Sequence, residues 1–200
     1  MNLNSTDSNG MTALMIACKI GRVKIVNILI KAGAEVNMPD HTGVTPIIEA
    51  CKQGQEDITR LLLEFGAHVN AVDTDGESSL MAAASRGYVD LVKLLLEDGA
   101  DVNLTKYQDG TSALMLASEH GFIDIVSLLL EHDADYHATN SKGETALDVA
   151  HRCEMEEVEN LLSQIQNVCR MVFVLPQRAC VYQRVETHVS SILVFAFLSH

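Results

Sequence analysis

Residues 73–105 read DTDGESSLMAAASRGYVDLVKLLLEDGADVNLT, and this stretch is one copy of a unit that recurs along the chain. Asp73-Thr74-Asp75-Gly76 is turn chemistry, with glycine supplying a positive φ at little steric cost. Ser79 to Ser85 predicts a short helix, in which Ala82, Ala83 and Ala84 combine high helix propensity with close helix approach. Arg86-Gly87 ends it, since glycine just past a helix is the usual left-handed cap. A second helix is expected from Tyr88 to Glu97. Val89, Leu91, Val92, Leu94, Leu95 and Leu96 give it a broad apolar face, while Asp90, Lys93 and Glu97 point to solvent. Asp98-Gly99-Ala100-Asp101 turns the chain again, and Val102-Asn103-Leu104 reads as an extended arm into the next hairpin.

The turn glycine recurs at Gly10, Gly43, Gly76, Gly110 and Gly143. A second glycine follows eleven residues later at Gly21, Gly54, Gly87 and Gly121. A period of about 33 residues is that of a helix-pair solenoid. No copy can bury its own apolar face, but stacked copies cover one another. The copies span 7–39, 40–72, 73–105, 106–139 and 140–166. Residues 1–6 are polar and read as frayed. The first copy has no polar capping repeat before it and must tolerate water on its own. The fourth holds one extra residue around Lys106-Tyr107-Gln108-Asp109, at a hairpin tip where an insertion is cheap. The fifth decays: Glu154 replaces the second glycine, at about 1 kcal/mol if the left-handed turn is kept. Its polar second helix (Glu156, Glu157, Glu159, Asn160, Ser163, Gln164) suits a C-terminal cap.

Thr45-Pro46-Ile47 fits a helix start, with Thr45 as N-cap and Pro46 at the first helical position. The other copies read Thr12-Ala13-Leu14, Ser79-Leu80, Ala113-Leu114 and Thr145-Ala146-Leu147. With its period, this pattern resembles the ankyrin-repeat family and its Thr-Pro-Leu-His signature. The departure is the histidine, replaced by Met15, Ile48, Met81, Met115 and Asp148. Apolar substitutes imply that packing replaces the histidine's hydrogen bonds. The resemblance implies an all-α repeat solenoid of stacked helix-turn-helix units with β-hairpin tips, over about 7–166. It implies a non-catalytic interaction scaffold or adaptor that binds a protein or peptide through a concave groove. By register, that groove takes in His41, Thr42, Val44, Lys52, Gln53, Thr74, Asp75, Glu77, Ser85, Arg86, Gln108, Asp109, Thr111, Glu119 and His120. Its floor runs from Lys19, Ile20 and Lys52 to Glu119, a polarity expected to orient an extended peptide with its acidic end near Lys52. The alternative is a regulatory or targeting segment, a short form of a larger enzyme or channel.

Net charge is −13. Residues 1–166 carry 11 basic and 26 acidic groups, and 167–200 carry 3 and 1. An acidic array repels nucleic-acid backbones and anionic membranes and favours basic or apolar partners. The same acidity also keeps a solenoid soluble. Five cysteines show no C-x-x-C spacing. Cys18 and Cys51 share a register position on neighbouring helices, which lie about 8–10 Å apart and too far for an unstrained disulfide. Buried thiols in a reducing compartment, the cytoplasm or the nucleus, are the expectation. No signal peptide is expected, since the start lacks a basic region and an apolar run, so the sequons at Asn4 and Asn103 are expected to be idle.

The segment 167–200 has another composition, with 20 of its 34 residues apolar and no glycine. Its run 189–198 is too short to span a bilayer. The windows 171–175 and 192–198 carry the β-prone, low-charge signature of aggregation. An unrelated exposed tail, a docking or dimerisation segment, and a membrane-surface element all remain open.

No P-loop, dinucleotide fingerprint, nucleophile elbow or zinc-protease motif occurs, and no Cys/His spacing is of zinc type. Asp73/Asp75 and Asp98/Asp101 lack calcium-loop spacing and read as turn formers. Neither an enzyme nor a cofactor is expected. One further register stands out: Leu29 to Asn37, Leu62 to Asn70 and Leu95 to Asn103 are each eight residues apart. This resembles the pattern that the oxygen-sensing asparaginyl hydroxylase recognises on ankyrin repeats. These asparagines could equally serve as hydrogen-bonding residues of the inter-repeat turn.

Overall fold

The computed structural model describes residues 2–173. Ten helices occupy them, in five pairs: α1 (Ala13–Ile20) with α2 (Val23–Lys31), α3 (Pro46–Lys52) with α4 (Glu56–Glu64), α5 (Ser79–Ala84) with α6 (Val89–Glu97), α7 (Ala113–Glu119) with α8 (Ile123–Glu131), and α9 (Ala146–Arg152) with α10 (Glu156–Phe173). The first helices pack in one row, α1 on α3, α3 on α5, α5 on α7 and α7 on α9. The second helices pack in a parallel outer row. This is an all-α repeat solenoid, and its hairpin tips are closed by isolated antiparallel bridges such as Val72–Ser78 and Thr105–Ser112.

The interior follows from the repeat pattern. Leu14-Met15, Ile47-Ile48, Leu80-Met81 and Leu114-Met115 occupy one pair of register positions, and all are buried. Packing therefore fills the place where the signature has a histidine. Asp148 is the exception. It is exposed and completes a capping box with Thr145. Thr12, Ser78, Ser112 and Thr145 each accept a hydrogen bond from the amide three residues on. Thr45 sits at the N-cap of α3 without making that bond, and its buried hydroxyl has no partner among the described residues.

Several expectations change. Residues 2–6 are tied down rather than frayed. The Asn4 side chain accepts from the Glu35 amide at 3.0 Å and donates to the Glu35 carboxylate at 3.0 Å. Thr6 bridges Thr12. Val102 and Asn103 form a turn instead of an extended arm, because the Asp101 carboxylate accepts the Asn103 amide at 2.9 Å. Glu154 keeps the left-handed turn at φ 59 although it is not glycine. α10 continues past 166 to Phe173. The rest of the apolar segment, 174–200, lies outside the described residues, and so do the readings made for it. No helix among the described residues is long and apolar enough to cross a membrane.

Candidate interaction groove

The candidate groove takes in the hairpin tips and the C-terminal ends of the first helices. Each tip is made by a side chain that turns the backbone. Asp40 accepts the amides of Thr42 and Val44, and Asp73 accepts those of Asp75 and Glu77. Of the aspartates read as turn formers, Asp73 does this directly. Neighbouring tips are joined by one backbone bond each. His41 donates to Asn9, Thr74 to Thr42, Tyr107 to Asp75 and Ser141 to Asp109, at 3.1, 2.9, 2.9 and 2.7 Å. A continuous edge results, with the side chains of His41, Thr42, Thr74, Asp75, Gln108 and Asp109 exposed along it.

The fourth tip carries the extra residue. Gly110 donates to the Lys106 carbonyl, which lets the longer loop close. Gln108 donates back to Asp75 at 2.8 Å. Asp109 accepts the Thr111 amide, and this bond holds its carboxyl below the ordinary range, against the opposing effect of burial. Tyr107 stands out at 71% exposed, over Gly76.

The charged residues are distributed differently from the register reading. Lys52 is no free cation: it meets Asp73 at 3.3 Å and Glu77 at 2.9 Å. Glu77 also meets Lys106 at 3.3 Å. The end of α3 is thereby clamped to the third hairpin, and the third hairpin to the fourth. Burial raises the Glu77 carboxyl pKa, but Lys52 and Lys106 more than offset it and hold it below the ordinary value. Burial likewise lowers Lys52, and its two carboxylates more than restore it. A depressed carboxylate stabilises the fold above its unfolded pKa and loses that contribution as pH falls through the folded one. Lys52→Met is therefore expected to cost about 1–3 kcal/mol near pH 7, since it leaves the buried Asp73 carboxylate without its cation and Glu77 with Lys106 alone. The gap to the native chain should close as Glu77 protonates below its ordinary range. Melting temperatures of both chains from pH 7 to pH 2 check this.

Other groove positions also depart from expectation. Val44 is buried at 7% exposure, so it belongs to the core and offers nothing to a partner. Gln53, Arg86 and His120 are exposed, while Ser85, Thr111 and Glu119 are half-buried. Arg86 donates to the Ala82 carbonyl and the Ser85 hydroxyl. His120 donates to the Leu116 carbonyl and stacks on Phe122 with ring centroids 5.7 Å apart. The sequence reading missed a small cavity of about 120 Å³ between the fourth and fifth repeats, lined by Asp109, Thr111, Glu119, Lys142, Glu144 and Arg152. Glu144 closes one side through its ion pair with Arg152 at 3.0 Å. Both residues lie in the degenerate fifth copy, where the register is hardest to follow.

The asparagines form inter-repeat bonds. Asn37, Asn70 and Asn103 each donate to a carbonyl in the next repeat's turn, at Gly66, Gly99 and Asp133, and accept the amides of His68, Asp101 and Asp135. Leu62 and Leu95, eight residues before, are fully buried. Cys18 and Cys51 are free and buried. Burial pushes both thiols up to about 12, with Glu49 adding to the effect at Cys18.

The family description "Ankyrin repeats (3 copies)" matches residues 32–106 and again 80–171. The single-unit description "Ankyrin repeat" matches residues 9–41. Among curated proteins, no relative matches the chain. Together the two descriptions run from the first turn through the last helix pair, over the same stacked units that build the groove, and the chain is a member of the ankyrin-repeat family, whose repeats are generally protein–protein interaction modules.

Proposed function

We propose that the concave face holds a basic, extended segment of a partner protein, anchored by Asp75, Asp109 and Glu119. The observation that carries this reading is the fate of the groove cations. Lys52 and Lys106 are taken up by Asp73 and Glu77, which leaves the exposed charge of the central tips negative. A partner with its acidic end at Lys52 would have to break that cluster. A partner presenting lysine or arginine to the tips would not. Complementary charge sets orientation and on-rate more than raw affinity.

Single rim charges are worth about 0–1 kcal/mol, so the test combines three. Asp75→Asn, Asp109→Asn and Glu119→Gln together are expected to weaken binding about tenfold, or roughly 1.4 kcal/mol. Asp90→Asn with Asp124→Asn, on the outer helices, should leave it unchanged. The ligand is a partner recovered by affinity capture on the array, measured at two salt concentrations, with the groove effect shrinking at the higher one. Loss of binding from the outer pair, with the groove triple intact, would place the partner on the other face.

Asparaginyl hydroxylation is proposed in a narrower form. The asparagine amides are tied to the next repeat, and Leu62 and Leu95 are out of reach in the folded array, so modification requires a repeat to open. Opening is cheapest where coverage is least. Leu29, the partner of Asn37, is only half-buried. Incubated with the hydroxylase, iron and 2-oxoglutarate, the protein is expected to gain oxygen at Asn37 before Asn70 and Asn103. Peptide mass spectra without any oxygen addition would remove the idea.

A further inference from the structure

Among the described residues, the large apolar side chains left exposed gather at one end of the stack. Ile16, Ile20, Val23, Ile25 and Ile28 all belong to the first repeat, and only Phe65 and Tyr107 lie elsewhere. The register explains why. Ile25 is 49% exposed, while Ile58, Leu91, Ile125 and Val158, which hold the same position in the later repeats, are 0%, 2%, 0% and 0% exposed. In each later repeat the preceding helix pair covers that position. In the first repeat nothing described covers it, yet the residue is of the interior kind. Ile28 goes further, at 66% exposed. The face is ordered rather than loose, because Asn4 and the Thr6–Thr12 bridge fix the chain beside it.

The rim of this face has its own charge. Residues 7–39 carry four basic groups, Lys19, Arg22, Lys24 and Lys31, against Asp7 and Glu35, whereas 40–166 carries 7 basic and 24 acidic. Lys24 and Lys31 stand four residues before and three after Ile28, which makes them its neighbours on the helix surface. Arg22 holds the position of Gln55, Tyr88, Phe122 and Met155, each of which lies over a glycine of the preceding repeat. Arg22, Lys24 and Lys31 make no ion pair among the described residues.

We infer that the uncovered face of the first repeat is a second docking surface, for an acidic amphipathic helix of another protein. Its occupant is helical because helices cover the same position in all four later layers, and the surface continues that established interface. Its occupant is acidic because an apolar stripe here is bordered by unpaired cations, in a chain that is otherwise strongly acidic. A second copy docked face to face would set Arg22, Lys24 and Lys31 against themselves. The segment 174–200 offers Arg178 and Arg184 against a single Glu186, so it lacks the complementary charge. The mode is a helix laying an i, i+3, i+4, i+7 stripe on an apolar face.

The test uses the full chain and a labelled synthetic helix with leucines at that spacing and glutamates on both margins, followed by fluorescence anisotropy. Controls are the same peptide with lysine for glutamate, and a scrambled peptide. Saturable binding is expected for the acidic helix only. Ile28→Asp should weaken it by about tenfold or more, and Lys24→Glu with Lys31→Glu by a similar factor that fades with salt. All three side chains are exposed, and circular dichroism melts would verify that the variants fold. The groove triple described above should bind the helix normally, which separates this surface from the groove. Equal binding of all three peptides overturns the proposal, as does indifference to Ile28→Asp. Sedimentation showing a dimer of the native chain that Ile28→Asp disperses would overturn it in favour of a second copy.

Discussion

Gly43→Ala is expected to cost about 2–4 kcal/mol, and the same change at Gly66 only about 1 kcal/mol. Both glycines have left-handed backbone, at φ +80 and +82, and alanine strains each alike. They differ in what surrounds the missing Cβ. At Gly43 it would meet the Thr74 amide nitrogen at 2.9 Å and the Asp73 Cα at 3.1 Å, both backbone of the next tip. Backbone cannot rotate away as a flexible side chain can, so the two tips must separate. Separation stretches the bond from Thr74 to the Thr42 carbonyl. At Gly66 nothing lies within 4 Å. Chemical denaturation of the two variants gives the comparison directly. Equal losses would mean that backbone strain alone sets the cost, and that the tips are not in close contact.

Leu95→Ala is expected to cost about 2–5 kcal/mol, through lost burial and the cavity left behind. Leu95 is fully buried, in α6 in the middle of the stack, and the layers on either side limit how far the site can collapse. Lys93→Ala, two residues earlier and exposed, should change stability by less than about 0.5 kcal/mol. Urea melts with an unchanged slope would show that both variants unfold from the same native state. Equal effects at the two sites would refute the helix register, since it alone sends one residue inward and the other to water.

The backbone plan was legible in the sequence because it is written by spacing. Glycines at a 33-residue period, followed by apolar positions at helical intervals, fix where each pair begins and which face it buries. α6 falls within a residue of the expected bounds for that reason. The groove was legible only as a set of positions. Lys52 shows the limit. Register places it on the concave side, but its charge is already matched by Asp73 and Glu77, whose carboxylates are 21 and 25 residues away. Pairing of that kind depends on distances across the stack, which periodicity does not carry. Asn4 shows the same limit at short range. Residues 2–6 look merely polar, until Asn4 is seen to bond with Glu35 much as Asn37 does with the following repeat.

The Lys52–Glu77–Lys106 cluster has a consequence for unfolding. In a linear array each repeat couples only to its neighbours, and the strength of that coupling decides whether units melt together or one by one. The second, third and fourth repeats share packing, tip-to-tip bonds and this ionic clasp at once. The first repeat lacks the clasp, since Lys19 approaches Glu49 only to 4.0 Å. Fraying should therefore begin at the amino-terminal end and stop at the second repeat, with the central three opening as one block. Hydrogen exchange would register the boundary as a step in protection between α2 and α3, sharp at neutral pH and blurred in acid where the clasp is discharged.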